Sequence, residues 1–215
     1  MSVDTRQLKK WTITIMKKLI KAKEDKSFQI IQADEHKLDI FYILIKPTNG
    51  IYKDQTHILE FKTRYGSSNE YLFPFSPPSV KFITSMWHPN ISVTGGICVD
   101  ILKETSKWVP TYDFSAVMTS IMLLLDLPNS SSPYNGSAAV MYMECDKIYK
   151  NATKEISNNT KKIDQTTLDN IFNESFSTYT KYANEYELTK NKAILDKYLK
   201  LFNPECSKTD ESKAN

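Results

Sequence analysis

One stretch, WHPNISVTGGICVD at 87–100, restricts this chain more than any other. Pro89 fixes its own backbone angle, withdraws an amide donor and biases His88 away from helical geometry. Gly95 and Gly96, two of only five glycines, stand just before Cys98, where they open backbone paths that other residues avoid and let a bulky reactant approach the sulfur. The segment therefore reads as a turn-rich connection that holds a histidine, an amide and a thiol together.

The flanking sequence supplies a scaffold. Leu8, Trp11, Ile15 and Leu19 recur at steps of three and four, which predicts an amphipathic helix over 4–23 with Asp4 as its cap. Arg6, Lys10, Lys17 and Lys21 form a basic stripe on its other side, either a solvated face or a docking surface for an acidic partner. Runs rich in Ile, Phe and Tyr at 28–33, 38–46 and 57–62, separated by polar clusters such as 47–50, predict antiparallel strands. His36 and His57 stand without a surrounding array of Cys, Asp or Glu and read as structural or exposed. FPFSPPSVKF at 73–82 reads as a rigid turn entering a short strand, since Pro74, Pro77 and Pro78 cannot donate ladder hydrogen bonds. Phe75, between Pro74 and Pro77, is either presented outward or buried.

Beyond the thiol, Trp108, Pro110 and Tyr112 mark a loop, and 114–125 a buried helix. PNSSSPYNGS at 128–137 is a cluster of turn formers and so a loop. Helical spacing resumes at 138–156, then twice more within 164–202, through Leu168, Ile171, Phe172, Phe176 and Tyr179 and through Ile194, Leu195, Tyr198, Leu199 and Phe202. The polar residues 203–215 read as a disordered tail.

Composition excludes several functions. A net charge of +3 is too small to make a nucleic-acid binder by itself, and no reader motif accompanies it. The longest apolar run, 121–127, is interrupted by Asp126 and falls far short of the roughly 18 residues of a membrane span. Cys98, Cys145 and Cys206 are an odd set without metal-ligand spacing, as expected of a reduced protein of the cytoplasm or nucleus. A Cys and His pair suggests a protease, but His88 is locked before a proline, and no other histidine or peptidase cleft signal supports that reading.

The ordered set FPFSPP at 73–78, HPN at 88–90, Cys98 and the Trp108 and Pro110 pair resembles the signature of the ubiquitin-conjugating enzymes. The likeness extends over about 4–160, and Asn and Lys usage with the helical tail resembles a viral member of that family. It implies an α+β ubiquitin-conjugating fold, a four-stranded antiparallel sheet flanked by helices, as a catalytic domain over 1–160. A helical extension over 161–203 and a tail over 204–215 would follow.

By the same resemblance Cys98 accepts ubiquitin from an activating enzyme as a thioester and passes it to lysine amines of protein substrates, alone or with a ligase. No metal or cofactor is implied. Asn90 either donates to the tetrahedral oxyanion, a contribution on the order of 3 kcal/mol, or holds the loop in shape, while His88 and Pro89 brace the turn. Ser132, before Pro133, matches the place where the family sets an acidic residue or serine to position the incoming lysine. Phe75 and Pro110, joined more loosely by Arg6 and Lys10, would meet the activating enzyme and ligases. Two alternatives remain: a conjugator of another ubiquitin-like modifier, or a ubiquitin-binding variant with little activity, which Cys98 argues against. Phe73 departs from the family's tyrosine, and the 63–72 loop and the Cys98 to Trp108 spacing are longer than in its short members.

Overall fold

The computed structural model describes residues 5–32, 38–53, 55–63, 73–159, 193–194 and 197. They fall into two compact units, one formed by Met1–Ile83 with Gly96–Leu127 and the other by Thr84–Gly95 with Pro128–Asn215.

The first unit opens with α1 (Thr5–Ala22) and continues with β1 (Phe28–Gln32), β2 (Ile40–Ile45), β3 (His57–Lys62) and β4 (Ser79–Phe82). The four strands form one sheet in the order β1-β2-β3-β4, and every pairing is antiparallel. Register places Phe41 opposite Phe61 and Ile45 opposite His57, so period-two alternation gathers these residues on one face. After β4 come α2 (Asp100–Lys103), a 3-10 turn (Thr105–Lys107) and α3 (Phe114–Asp126). Phe114 of α3 packs on that face, with ring centroids 5.5 Å from Phe41 and 4.6 Å from Phe61. Phe73 and Trp108 extend the cluster. Each such ring removed from water contributes roughly 1.5–3 kcal/mol, which makes this the unit's centre.

Helix α1 adds Trp11, Ile15, Leu19 and Ala22 to the core. Leu8, expected with them, is exposed, so the buried stripe begins one turn later, where the Trp11 indole donates to the Phe73 carbonyl at 2.8 Å. The Asp4 cap, His36, all but Thr63 of the 63–72 loop and Cys206 lie outside the described residues. His57 is fully buried, between the rings of Tyr52 and Phe82, and burial pushes its pKa down to about 4. The α2 helix and the 3-10 turn are unanticipated. They are too short to leave a periodic signal, and neither buries a residue.

The second unit contains the HPN turn, the 128–135 loop, α4 (Gly136–Glu144) and α5 (Asp146–Asn159). The single helix expected over 138–156 is thus two. Cys145 leaves helical geometry at φ −147° and ψ 72°, yet its amide donates back to Met141 while its carbonyl accepts from Tyr149. It closes one helix and starts the next. From the expected tail helices, Ala193, Ile194 and Lys197 are described and helical. Ile194 is buried, and Lys197 pairs with Glu155 of α5 at 2.9 Å.

Candidate active site

In the second unit, Asn90 is completely buried and its amide is used at both ends. The Nδ2 group donates to the carbonyls of Asn129 (2.7 Å) and Ser132 (3.3 Å), and Oδ1 accepts from the Asn129 amide at 2.8 Å. A buried amide satisfied in this way fixes whatever it bonds. The carbonyl of Pro89 accepts from the amides of Tyr134 (2.8 Å) and Asn135 (2.9 Å). Nδ1 of the buried His88 accepts from the Asn90 amide at 3.0 Å, which fixes that nitrogen as unprotonated. Asn135 then caps α4 by accepting from Ala138 at 3.1 Å. Asn90 and Ser132 are thereby brought together, although Ser132 is met through its carbonyl while the residue itself stays exposed. Asn129 and Asn135, not anticipated as site residues, lie within the turn-former cluster that was the available signal for them.

The thiol segment belongs to the first unit. Gly95, at its border, takes φ +86°, a left-handed conformation that suits glycine and strains other residues. Gly96 bridges to Lys81 of β4. Cys98 follows, half-buried and without a disulfide. Lys103, the last residue of α2, brings Nζ to 3.8 Å from Sγ. Lys107 is held by Asp100 (2.6 Å) and Glu104 (3.1 Å), and the hydrogen bonds it donates to Asp100 and then to Glu104 raise its pKa. Sequence reasoning missed Lys103, because a lysine five positions past a cysteine carries no motif. Among the described residues no group of His, Cys, Asp and Glu could hold a metal ion, and no helix is long and apolar enough to cross a membrane.

The ubiquitin-conjugating enzyme family model matches residues 12–157, a span that contains both the HPN turn and the thiol. The chain belongs to the ubiquitin-conjugating enzyme family. Among curated proteins it is 42% identical over 114 residues to "Ubiquitin-conjugating enzyme E2 1" of Caenorhabditis elegans, covering 53% of this chain and 55% of the relative. To "Ubiquitin-conjugating enzyme E2 2" of Neurospora crassa it is 40% identical over 115 residues, covering 53% of this chain and 70% of the relative. The chain therefore spans little more than half the length of the nematode protein. The narrower viral likeness gains no support from these nematode and fungal relatives.

The residues that the family resemblance assigns to partner binding share the first unit. Trp108 Nε1 donates to the Pro74 carbonyl at 2.7 Å, tying the loop of Pro110 to the turn of Phe75. Both Phe75, 68% exposed, and Pro110 face solvent. Lys18 of α1 donates to the carbonyls of Pro110 (3.2 Å), Thr111 (3.3 Å) and Tyr112 (2.6 Å). Burial lowers its pKa, and Asp113 partly offsets this. Arg6 and Lys10 are exposed on α1. Lys21, assigned to the same basic stripe, is engaged with Asp113 at 2.7 Å, so the stripe is in part a structural tie.

Proposed function

We propose that this ubiquitin-conjugating family member accepts ubiquitin from an activating enzyme as a thioester on Cys98 and transfers it to lysine amines of protein substrates. The observation that carries the reading is a half-buried, unbridged thiol that follows the left-handed turn at Gly95, inside the span matched by the family. A thiolate is a good leaving group, so a thioester stores the acyl group in a form that an amine can attack.

Asn90 serves as the loop-holding residue in this reading. Its Nδ2 and Oδ1 are committed to Asn129 and Ser132, and an amide so engaged would have to break a part-buried hydrogen bond before donating to an oxyanion. The loop it holds carries Ser132, whose role is to position the incoming lysine. His88 and Pro89 brace the turn. The exposed Phe75 and Pro110 form the docking surface for activating enzyme and ligases, with Arg6 and Lys10 at its margin. The protein works in the reducing cytoplasm or nucleus, those of a host cell if the viral likeness holds; imaging of a tagged chain tests this placement.

The deciding experiment incubates the protein with activating enzyme, ATP and ubiquitin and compares gels run with and without thiol reductant. A reductant-labile adduct is expected, lost in Cys98→Ala and reductant-resistant in Cys98→Ser. An unchanged labile adduct in Cys98→Ala would sink the site assignment. Other ubiquitin-like modifiers, each with its own activating enzyme, test the second reading in the same format.

A further inference from the structure

We infer that the outward face of α1 is a docking surface for a bilayer with anionic phospholipid headgroups. The inference goes beyond the thioester reading and does not rest on it. Helix α1 is apolar on two sides. Trp11, Ile15, Leu19 and Ala22 belong to the core, whereas Ile13, Met16 and Ile20 are 55%, 45% and 61% exposed. Their steps of three and four set them within roughly 60° of one another on a helix of about 3.6 residues per turn, so they form one crest on the side away from the core.

Charge of a single sign surrounds that crest. The sequence from Thr5 to Lys23 contains no Asp or Glu. Lys18 and Lys21 serve the first unit itself, on the 110–112 carbonyls and on Asp113, but Lys9, Lys17 and Lys23 reach solvent. Lys17 flanks the crest on one side. Lys23, whose amide continues the helical pattern to Leu19 at 3.0 Å, flanks it on the other, and Lys9 extends it toward the N-terminus. An interfacial helix has this pattern: apolar tips enter the headgroup and acyl boundary while flanking lysines lay their stems along it and keep their ammonium groups among the phosphates. An acidic protein segment would also answer the charge. A partner helix, however, lies in a groove, and three tips on a convex helix offer none, whereas a bilayer surface is flat and yields to them.

The test floats the full chain through a density gradient with vesicles of phosphatidylcholine, alone or with about 30% phosphatidylserine. Binding to the phosphatidylserine vesicles is expected, with little to phosphatidylcholine alone, and it should fall as salt is raised to about 0.5 M. Ile13→Asp with Ile20→Asp should weaken it at least about tenfold, and Lys9→Gln, Lys17→Gln and Lys23→Gln together by at least about the same factor. Met143→Ser, at an exposed apolar residue of the second unit, should bind as the parent does, and thermal unfolding of every variant should match the parent. No binding, equal binding to both vesicle types, or unchanged binding in the Ile13 and Ile20 variant overturns the inference. So does an Ile13 and Ile20 variant that keeps its vesicles but no longer loads ubiquitin from activating enzyme, which would assign the crest to an acidic protein. Flotation is read without ubiquitin, so a chain that never loads sinks the thioester reading and leaves the bilayer surface standing.

Discussion

Asn90 and Cys98 stand eight positions apart in the sequence and are held by opposite means. Asn90 is fully buried, and its side chain donates two hydrogen bonds and accepts one. Cys98 is half-buried, and the tip of the exposed Lys103 lies beside its sulfur. One residue is over-determined by its surroundings and the other is left accessible. On the reading proposed for Cys98, accessibility is what an acyl carrier needs, since a side chain packed into a core could not take on and give up a large group.

The largest test of that contrast is a pair of alanine substitutions. Asn90→Ala should cost about 3–4 kcal/mol, because it strips partners from the Asn129 amide and from two carbonyls in a part-buried setting. Cys98→Ala should change stability by less than about 0.5–1 kcal/mol, as for a partly exposed site without a buried polar network. Denaturant unfolding monitored by tryptophan fluorescence measures both, and equal costs would erase the distinction.

A second experiment asks how far the sheet of the first unit resists charge. His57 is fully buried and its pKa is depressed to about 4, so between about pH 6.5 and 4 the unfolded chain binds a proton there that the folded chain refuses. Stability from this residue is complete above pH 6.5 and falls as the pH drops toward 4, by up to about 3 kcal/mol. His57→Phe should flatten that part of the pH and stability profile, and a profile that keeps its slope would assign the effect elsewhere.

The smallest effect concerns Lys18. Lys18→Met keeps the aliphatic stem but removes the donor shared by the Pro110, Thr111 and Tyr112 carbonyls, at about 1 kcal/mol. Its sharper readout is amide hydrogen exchange across 108–112, expected to rise several-fold. If exchange there stays unchanged, the loop is held by Trp108 alone.

Much of the scaffold was legible because its signals are local. The spacing of Trp11, Ile15 and Leu19 predicts α1, enrichment in Ile, Phe and Tyr with polar breaks predicts β1 to β3, and the prolines of 73–78 place β4. Cys145 was opaque because its break depends on a single residue leaving helical geometry inside an otherwise helical pattern. The α2 helix is shorter than the periods by which sequence is read. His57 reads as either structural or exposed, and nothing nearby in sequence announces the rings of Tyr52 and Phe82 that make it structural.

By itself, then, the sequence determined the element types, the family likeness and the thiol, since periodicity, turn chemistry and a motif are properties of neighbouring residues. Only the tertiary structure decided what Asn90 bonds to, 39 positions away, that Lys18 reaches the Pro110 loop, and that Lys103 stands beside Cys98. Hydrogen bonds and close approaches are set by where folded backbones and rotamers place each atom, and no local pattern in the chain encodes that distance.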